Sequence, residues 1–514
     1  MQKKGAKRER LLPLLHEYGG LSPENVAKVA KATDVPEADV WGAGSFYTLL
    51  RRPGEQLRVC SGLTCRMMGA DALIAKLREQ GEPVEAVSCL GQCDRAPAIL
   101  DAERRLVSHA AGTRAVTPPD PELPINLAGE DDTSYAALAR ARELGPQAVL
   151  DQLEASGLQG RGGAGFPAHL KWRSVRGQAV TERYVVCNAD EGEPGTFKDR
   201  ECMLRRPHRV LEGLAIAALM AGAKDIYIYI RGEFLAERDA LERALDAAKG
   251  ALDDFEVHLV LGHGAYICGE ETALIESLEG KRGMPRLKPP YPTEQGFRGK
   301  PTLMHNVETI ACVPSIVLRG GAWFRAKGRA EAGSKLYCVS GHVEIPGVYE
   351  LPLGVTLDEL VETAGGYVGT PLAFSPGGAS SGFLPMSRRD LALDYRSLAD
   401  AGSMLGSAGL VVLNDTVDIA EATRWQLEFF EEESCGQCAP CRIGTRYLHR
   451  QVERYLASGS VDALRHAADV GWEMEEGSIC GLGMVAMKPL ESALKHFPGA
   501  FARRDSPSRD GGDS

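Results

Sequence analysis

The sequence lacks long apolar runs, an excess of basic charge and an apolar stretch behind its basic start. No apolar run among the 514 residues reaches the length of about 18 that a membrane-spanning helix needs, so any membrane link is expected to come through a partner. The formal net charge of −11 argues against nucleic acid as a generic ligand, because phosphate backbones are bound by basic surfaces. The opening MQKKGAKRER precedes no secretory core, which predicts a cytoplasmic protein and disfavours a disulfide framework.

Hydrophobic periodicity and the positions of proline and glycine residues predict an α/β multidomain arrangement. Hydrophobic residues make up 44% and charged residues 25% of the chain, as in globular domains, and the length predicts roughly three to five of them. Buried-strand candidates at 184–186, 226–230 and 257–260 alternate with helical segments and predict a central α/β core. The predicted units are an N-terminal helical segment at 1–54, a small α/β domain at 55–116, a linker at 117–144, the central α/β domain at 145–334, a small β-rich domain at 335–418, a helical domain at 419–502 and a flexible tail at 503–514.

Cysteine is present in thirteen copies, and the tightest set is Cys435, Cys438 and Cys441 with Cys480 further on. Three thiols at this spacing wrap one compact iron–sulfur core, and a distant fourth completes the ligand set. A two-cluster ferredoxin would have its fourth cysteine three residues after Cys441, followed by proline, but Arg442–Thr445 stands there instead. Structural zinc is the alternative, although zinc ribbons usually pair two Cys-x-x-Cys knuckles.

A second, looser set consists of Cys60, Cys65, Cys89 and Cys93. We interpret it as a [2Fe-2S] centre that lies off or beside the main path of electron transfer, with a zinc site or a vacant remnant as the alternative. The other five cysteines lie singly in apolar or mixed surroundings, which predicts buried small hydrophobes rather than catalytic thiols. They are Cys187, Cys202, Cys268, Cys312 and Cys338.

Two loops after predicted elements indicate a phosphorylated cofactor. The run 160–165 fits G-x-G-x-x-G but follows a helical segment rather than a strand, which disfavours the standard dinucleotide fingerprint. Its glycine amides, with Arg161 or Lys171, are predicted phosphate contacts. The acidic loop 188–195 follows a strand directly, and its acceptors Asn188, Asp190 and Glu191 are predicted contacts for sugar hydroxyls. Their alternatives are a flexible loop and a solvated acidic turn.

These loops and the cysteine sets together resemble a known family. Residues 145–500, with the segments Gly160–Pro167, Asn188–Gly195, Ala265–Thr272 and Arg286–Pro292, resemble the NADH-binding flavoprotein subunit of respiratory complex I. Residues 11–110 look like the thioredoxin-like [2Fe-2S] subunit of the same complex, fused in front. The layout is similar to the beta (diaphorase) subunit of soluble NAD-dependent formate dehydrogenases, and the diaphorase subunit of hydrogenases is related.

The resemblance implies a thioredoxin-like domain, a Rossmann-like FMN- and NADH-binding domain, a β-grasp domain and a C-terminal helical bundle carrying a [4Fe-4S] cluster. The dinucleotide would lie near Phe166 and Tyr291, with Glu193, Tyr266 and Lys288 also implied. His305 stands where the family commonly has asparagine, and Ser174 where complex I subunits often have an aromatic residue for the adenine. The implied FMN site consists of Gly160, Arg161, Gly162, Gly163, Lys171, Asn188, Asp190, Glu191, Gly269, Glu270, Glu271, His305, Asn306 and Thr309.

The implied function is electron transfer between a dinucleotide and iron–sulfur clusters. We expect hydride exchange between NAD(H) and FMN and one-electron transfer through the [4Fe-4S] cluster, with no side-chain general acid, because the cofactors carry the chemistry. The expected partners are a molybdenum-type formate dehydrogenase subunit and a small [2Fe-2S] subunit in a hetero-oligomer. A hydrogenase or respiratory NADH dehydrogenase is the alternative within the enzymes, and a zinc-binding scaffold is the alternative outside them.

Overall fold

The N-terminal segment consists of short helices that lie against the central sheet. The computed structural model describes residues 7–51, 56–107 and 115–502, so the predicted tail at 503–514 lies outside the described residues. Ser22 caps its helix, because its Oγ accepts a hydrogen bond from the Asn25 amide at 3.1 Å and Pro23 holds the first helical position. Val26 and Val29 share one core with Tyr184 and Tyr227 of the central domain. The helices span Leu11–Glu17, Pro23–Thr33, Glu37–Gly44 and Thr48–Arg51.

The small α/β unit that follows has a three-stranded sheet. Its strands are β1 (Leu57–Cys60), β2 (Val84–Val87) and β3 (Ile99–Leu100), in the order β2-β1-β3 with β2 parallel to β1. Helix Ala70–Glu79 packs on this sheet, and helix Leu63–Met67 packs against that helix. The unit is too small to bury a large core, and its small apolar core includes Cys60 and Cys65.

The second half of the predicted linker is part of the central domain. Helix Ala136–Ser156 begins within it and bends at Gly145, whose φ is +74°. Ala137, Leu138 and Ala141 are fully buried in the central core, because apolar residues at helical spacing need a partner surface. This corrects the linker prediction for residues 136–144, while the other boundaries stay predictions. Before the helix, β4 (Ala115–Val116) joins the sheet of the β-rich domain.

The central domain contains a parallel four-stranded sheet with the order β7-β6-β5-β8. The strands are β5 (Tyr184–Ala189), β6 (Asp225–Ile230), β7 (Glu256–Leu261) and β8 (Thr302–Asn306). Because all strands run in one direction, their carboxyl ends, and the loops that follow them, meet at one edge. The predicted strands 184–186, 226–230 and 257–260 are confirmed. The helices of this domain are Ala168–Arg176, Lys198–Arg205, Pro207–Ala221, Leu235–Ala247, Glu271–Leu278, Pro292–Gln295, Val307–Arg319 and Gly321–Arg325.

The β-rich domain is one mixed sheet in the order β12-β11-β13-β9-β10-β4. Helix Leu357–Thr363 begins at a capping box between Thr356 and Glu359, which fixes its start. A second helix spans Tyr395–Asp400. The strands are β9 (Ser334–Gly341), β10 (Gly347–Pro352), β11 (Pro371–Ser375), β12 (Leu384–Pro385) and β13 (Gly409–Asn414).

The C-terminal domain is a helical bundle, as predicted. Its helices pack around Leu427, Leu448, Val452 and Leu490, all fully buried. Within the described ranges, no helix of the chain has the length and apolarity needed to cross a membrane. The helices are Ile419–Glu433, Ala439–Ser458, Ala467–Gly477, Gly481–Val485 and Lys488–His496.

Candidate functional site

A cleft opens at the carboxyl ends of β5 and β8, between the central, β-rich and helical domains. It has one part of about 620 Å³ and an adjoining part of about 310 Å³, and both parts are lined by Gly162, Asn188, Gly269 and Asn306. Every cofactor-binding residue predicted above lines one of these parts, except Arg161 and Asp190. Residues that lie far apart in the sequence are thus gathered at the sheet edge where α/β proteins bind ligands.

The glycine loop presents bare backbone to the cleft. The amide of Gly160 donates to the Phe166 carbonyl at 2.8 Å and closes the loop. A Cβ added at Gly163, where φ is +143°, would meet no atom within 4 Å and would project into open space. Within the described chain, the amides of Gly162 and Gly163 donate to no protein group. Free amides without side chains are the donors that phosphate needs, so this loop fits a phosphorylated cofactor.

The side chain of Arg161 points away from the cleft. It is fully buried, and its Nη2 donates to the carbonyl of Ala332 at 2.9 Å, while its backbone amide donates to Thr309 Oγ1 at 2.8 Å. The guanidinium therefore does not line the cleft, and the predicted phosphate contact through Arg161 or Lys171 stays a prediction. Lys171 does line the cleft, where its Nζ lies 2.8 Å from Glu271 Oε2, and Lys288 lines the same part of it.

Most carboxylate oxygens of the acidic loop accept hydrogen bonds from other groups of the protein. Glu191, with φ of +39°, accepts hydrogen bonds from the amides of Asp199 at 2.6 Å and Arg200 at 2.9 Å, and so caps their helix. Burial, reinforced by the Asp199 charge, raises the pKa of Glu191 to about 8. Asp190 lines a neighbouring cavity instead. Asn188 lines both parts of the cleft and donates to the Gly269 carbonyl at 2.8 Å. Sugar contacts through these three residues stay a prediction.

Glu193 and Tyr266 form one half-buried unit at the inner part of the cleft. The Tyr266 hydroxyl donates to Glu193 Oε2 at 2.5 Å, and the Ser380 amide donates to Oε1 at 2.9 Å. Burial raises the pKa of Glu193, although these hydrogen bonds oppose the shift. The carboxylate therefore fixes the Tyr266 ring against the cleft wall.

The outer part of the cleft carries paired charges between two exposed aromatic rings. Lys288 Nζ lies 2.8 Å from Glu270 and 3.3 Å from Glu271. Burial alone would lower the pKa of Lys288, but the two carboxylates raise it, so the amine is cationic at neutral pH. Phe166 is 48% exposed and Tyr291 is 52% exposed. Open aromatic faces beside a cation suit the stacked rings and the diphosphate of a dinucleotide.

His305, which stands where the family commonly has asparagine, is a neutral hydrogen-bond donor. The Trp172 indole Nε1 donates to His305 Nε2 at 2.8 Å, so the imidazole carries its single proton on Nδ1. Burial, aided by the charge of Lys171, lowers the pKa of His305 to about 3. His305 lines the cleft and can donate there, as the asparagine amide of the family would.

Three of the C-terminal cysteines lie at helix starts. Cys438 and Cys480 stand at the N-caps of Ala439–Ser458 and Gly481–Val485, and Cys441 lies in the first turn of the former. A Cβ added at Gly483 would lie 2.9 Å from the Cys441 Cβ, so glycine is needed for the close approach. Amides at helix starts stabilise thiolates and cluster sulfurs, and the donor set fits iron–sulfur coordination. Cys480 and Gly481 also line the cleft, together with residues of the glycine loop.

The N-terminal cysteines converge as well. All four are buried around one small cavity that Pro194 and Gly195 of the acidic loop close from the other side. The thiol of Cys89 interacts with those of Cys60 and Cys93, and these hydrogen bonds lower the Cys89 pKa. Four thiols in one closed space fit a small cluster. The set lies on the side of the acidic loop that faces away from the cleft.

Sequence reasoning missed several residues that line or support the cleft. Trp172 carries no motif signal beyond its position after Lys171, while Gly481 was visible in the glycines that follow Cys480. Asp199 lines the inner part and accepts from the Asn306 amide at 2.5 Å. Ser380 and Ser407 reach the cleft from the β-rich domain, and nothing local in the sequence indicates this.

Comparison with known families assigns each region. Residues 153–315 match the Nuo51 FMN-binding domain, and residues 421–504 match the NADH-ubiquinone oxidoreductase-F iron-sulfur binding region. Residues 1–110 match the thioredoxin-like [2Fe-2S] ferredoxin family, and residues 336–384 match the SLBB domain. The predicted multidomain α/β fold and the cofactors FMN, [4Fe-4S] and [2Fe-2S] are thereby confirmed, and the NAD(H) prediction is consistent with these matches.

Whole-protein relatives agree with the family matches. The chain is 45% identical over 386 residues to an F-type subunit of the NADH-quinone oxidoreductase of Rhizobium meliloti (strain 1021), covering 71% of this chain and 91% of that relative. It is 43% identical over 399 residues to the F-type subunit of the NADH-quinone oxidoreductase of Rhodobacter capsulatus, covering 72% and 93%. Among solved structures, a chain of an NAD⁺-reducing [NiFe]-hydrogenase in the H₂-reduced state superposes with a TM-score of 0.88 at 32% identity, covering 96% of this chain and 92% of that one.

The cleft joins a glycine loop with free amides to a four-cysteine set, and these two regions match the FMN-binding and the iron-sulfur family, respectively. The chain is an oxidoreductase subunit that transfers electrons between NAD(H), FMN and iron–sulfur clusters. It belongs to the family of F-type NADH-quinone oxidoreductase subunits, the complex I 51-kDa-type flavoproteins, with a thioredoxin-like [2Fe-2S] domain fused in front.

Proposed function

We propose that the cleft binds FMN through the glycine loop and NAD(H) in the outer part. The free amides of Gly162 and Gly163, with Lys171 and the neutral His305, support an FMN phosphate at this end of the cleft. Asn188 and Asn306 supply polar contacts further in. When bound, FMN accepts or donates a hydride at the dinucleotide and exchanges single electrons with a cluster. The protein positions both rings and excludes water around them.

The single observation that carries this proposal is that Cys480 and Gly163 line the same cleft. A cluster held by Cys435, Cys438, Cys441 and Cys480 would then lie in contact with the cofactor cavity. Electron transfer needs such proximity, and no side chain has to act as a general acid. The cluster on Cys60, Cys65, Cys89 and Cys93 would exchange electrons across the acidic loop.

For the physiological partner, we propose the catalytic subunit of a soluble, cytoplasmic NAD-dependent formate dehydrogenase, together with a small [2Fe-2S] subunit. The fused layout of the chain supports this proposal. An NAD-reducing hydrogenase partner is the second candidate, and a specific observation favours it, because the solved hydrogenase chain matches 96% of this one. The family of the chain is equally compatible with a respiratory NADH dehydrogenase.

Co-purification tests the partner directly. The complex is isolated through a tag on this chain, and its metals and its NAD⁺ reduction with formate or hydrogen are measured. Molybdenum or tungsten with formate-dependent activity would support the first proposal, whereas nickel with hydrogen-dependent activity would replace it by the second. A chain that reduces ferricyanide with NADH but binds no flavin would contradict the proposed cofactor site itself.

A further inference from the structure

One buried guanidinium connects the N-terminal cysteine set to the cofactor cleft. Arg231 directly follows β6 and is 8% exposed. Its Nη2 donates to the carbonyl of Cys89, and its Nη1 donates to the carbonyl of Glu191 at 3.0 Å. Its own amide donates to the Ala189 carbonyl at 3.1 Å. A single side chain therefore bridges a proposed cluster ligand and the loop that lines the cleft.

Two carboxylates lie near this guanidinium. Its Nε lies 3.1 Å from Glu233 Oε2, and the carboxyl of Asp190 also lies nearby. Burial strengthens these interactions, because a low local dielectric screens charge less than water does. Two guanidinium nitrogens are nevertheless committed to backbone carbonyls and hold the cation against Cys89. The planar fork of arginine is suited to such a bridge, whereas lysine is a point charge.

A cation at this position affects the redox chemistry of a cluster. One electron from reduced flavin converts one ferric ion of a [2Fe-2S] cluster to ferrous, so the cluster gains one negative charge. Nearby positive charge and hydrogen bonds stabilise the reduced form and raise the reduction potential. An arginine that contacts the Cys89 peptide acts on this equilibrium directly.

We propose that Arg231 is a positioning residue that raises the reduction potential of the N-terminal cluster and ties this cluster to the flavin-side loop at Glu191. Glu233 moderates the effect as the paired anion. The proposal rests on the proposed binding of a [2Fe-2S] cluster by Cys60, Cys65, Cys89 and Cys93. It concerns how readily that cluster takes an electron, not whether it is present.

The test is a redox titration of the full chain, followed by electron spin resonance of the N-terminal cluster. At one fixed potential near the wild-type midpoint, Arg231→Gln should lower the ratio of reduced to oxidised cluster at least tenfold, which is about 59 mV for a one-electron couple. Arg231→Lys keeps the charge and should change the ratio less than about threefold. Glu233→Gln removes the anion and should shift the ratio in the opposite direction.

The matched control is Arg104→Gln. Arg104 also joins the N-terminal part to the central domain, because its Nη1 donates to the carbonyl of Gly232 at 2.6 Å, but its guanidinium donates to no cysteine carbonyl within the described residues. It should leave the ratio unchanged. The proposal is overturned if Arg231→Gln behaves like this control. If the Arg231→Gln variant does not retain the cluster, the Glu233→Gln variant is the test. An unchanged ratio of reduced to oxidised cluster in Glu233→Gln would also overturn the proposal. An absent wild-type signal, with flavin and the [4Fe-4S] cluster intact, would instead remove the N-terminal cluster and this inference with it.

Discussion

The indole Nε1 of Trp172 donates a hydrogen bond to Nε2 of His305 at 2.8 Å. This bond, made across 133 residues of sequence, fixes the tautomer of an imidazole that lines the cofactor cleft. The family usually has an asparagine here, and the bond explains how histidine takes its place without adding a charge. A neutral donor near a phosphate position keeps the same hydrogen-bonding character over the physiological pH range.

The tautomer lock predicts a pH dependence of stability. The pKa of His305 lies at about 3 in the folded protein, against 6.5 as the ordinary value. The native state thus binds fewer protons than the unfolded state, so the stabilisation is complete above pH 6.5 and is lost progressively as the pH falls toward 3. When the pH falls from about 7.5 to about 5.5, the free energy of unfolding should decrease by about 1.4 kcal/mol more in the wild type than in His305→Asn. Urea unfolding followed by flavin fluorescence measures the difference, and the exposed His466→Asn should behave like the wild type.

Filling the glycine cradle should expel the flavin. Gly163→Trp places an indole in the open space of the cleft, and we expect the FMN content per chain to fall at least tenfold. Gly366 is a matched control, because its φ of +114° is also left-handed and its Cβ position is equally open, but it lies outside the cleft. Gly366→Trp should retain FMN. Equal flavin contents in the two purified variants, measured by absorbance, would refute the assigned phosphate loop.

Loss of the cation at Lys288 should weaken dinucleotide binding without affecting flavin. Lys288→Met leaves Glu270 and Glu271 facing the outer cleft with one cation fewer, so they repel a diphosphate. We expect the KM for NADH to rise about tenfold, as for the loss of one charge-assisted contact, at unchanged FMN content. Lys281→Met is the control, because Lys281 pairs with Glu276 and Glu279 at 3.0 and 2.8 Å but does not line the cleft. Steady-state NADH–ferricyanide kinetics that do not distinguish the two variants would argue against this site.

The two cysteine sets can be tested against each other. Cys480→Ser should remove the [4Fe-4S] signal and leave the [2Fe-2S] signal, while Cys65→Ser should do the reverse. Each variant is thus the control for the other, and both should retain FMN, because the glycine loop is untouched. Iron analysis and electron spin resonance of the reduced proteins are the measurements. An unchanged set of reduced-cluster signals in Cys65→Ser would remove the N-terminal cluster.

Much of the architecture follows from local sequence patterns. The strand 226–230 is a continuous apolar and aromatic run, and the helix at 357–363 is defined by the Thr356–Glu359 capping box. Such signals act over a few residues and are readable in order. The triple-cysteine spacing is similarly local, which is why the iron–sulfur prediction needs no knowledge of the fold.

Side-chain direction was not predictable in the same way. Arg161 lies inside the glycine motif but turns into the core against Ala332, and the Glu191 carboxylate accepts from the amide of Asp199 at a helix start. The motif identifies which loop lines the cleft, whereas the packing of neighbouring domains decides which atoms of that loop are free. Residues 136–144 show the same limit. The polar, proline-rich segment before them predicts a linker, but these residues begin a helix whose apolar face packs in the central core.

The sequence by itself determined the order of the elements, the two cysteine sets, the glycine loop and the family. These depend on spacing within short segments, where covalent geometry limits the possibilities. Only the tertiary structure decided that Cys480 borders the flavin cleft, that Trp172 locks His305 and that Arg231 bridges Cys89 and Glu191. Arg231 and Cys89 are separated by 142 residues, and no local pattern encodes their meeting. It results from burial of the apolar surfaces that bring the domains together.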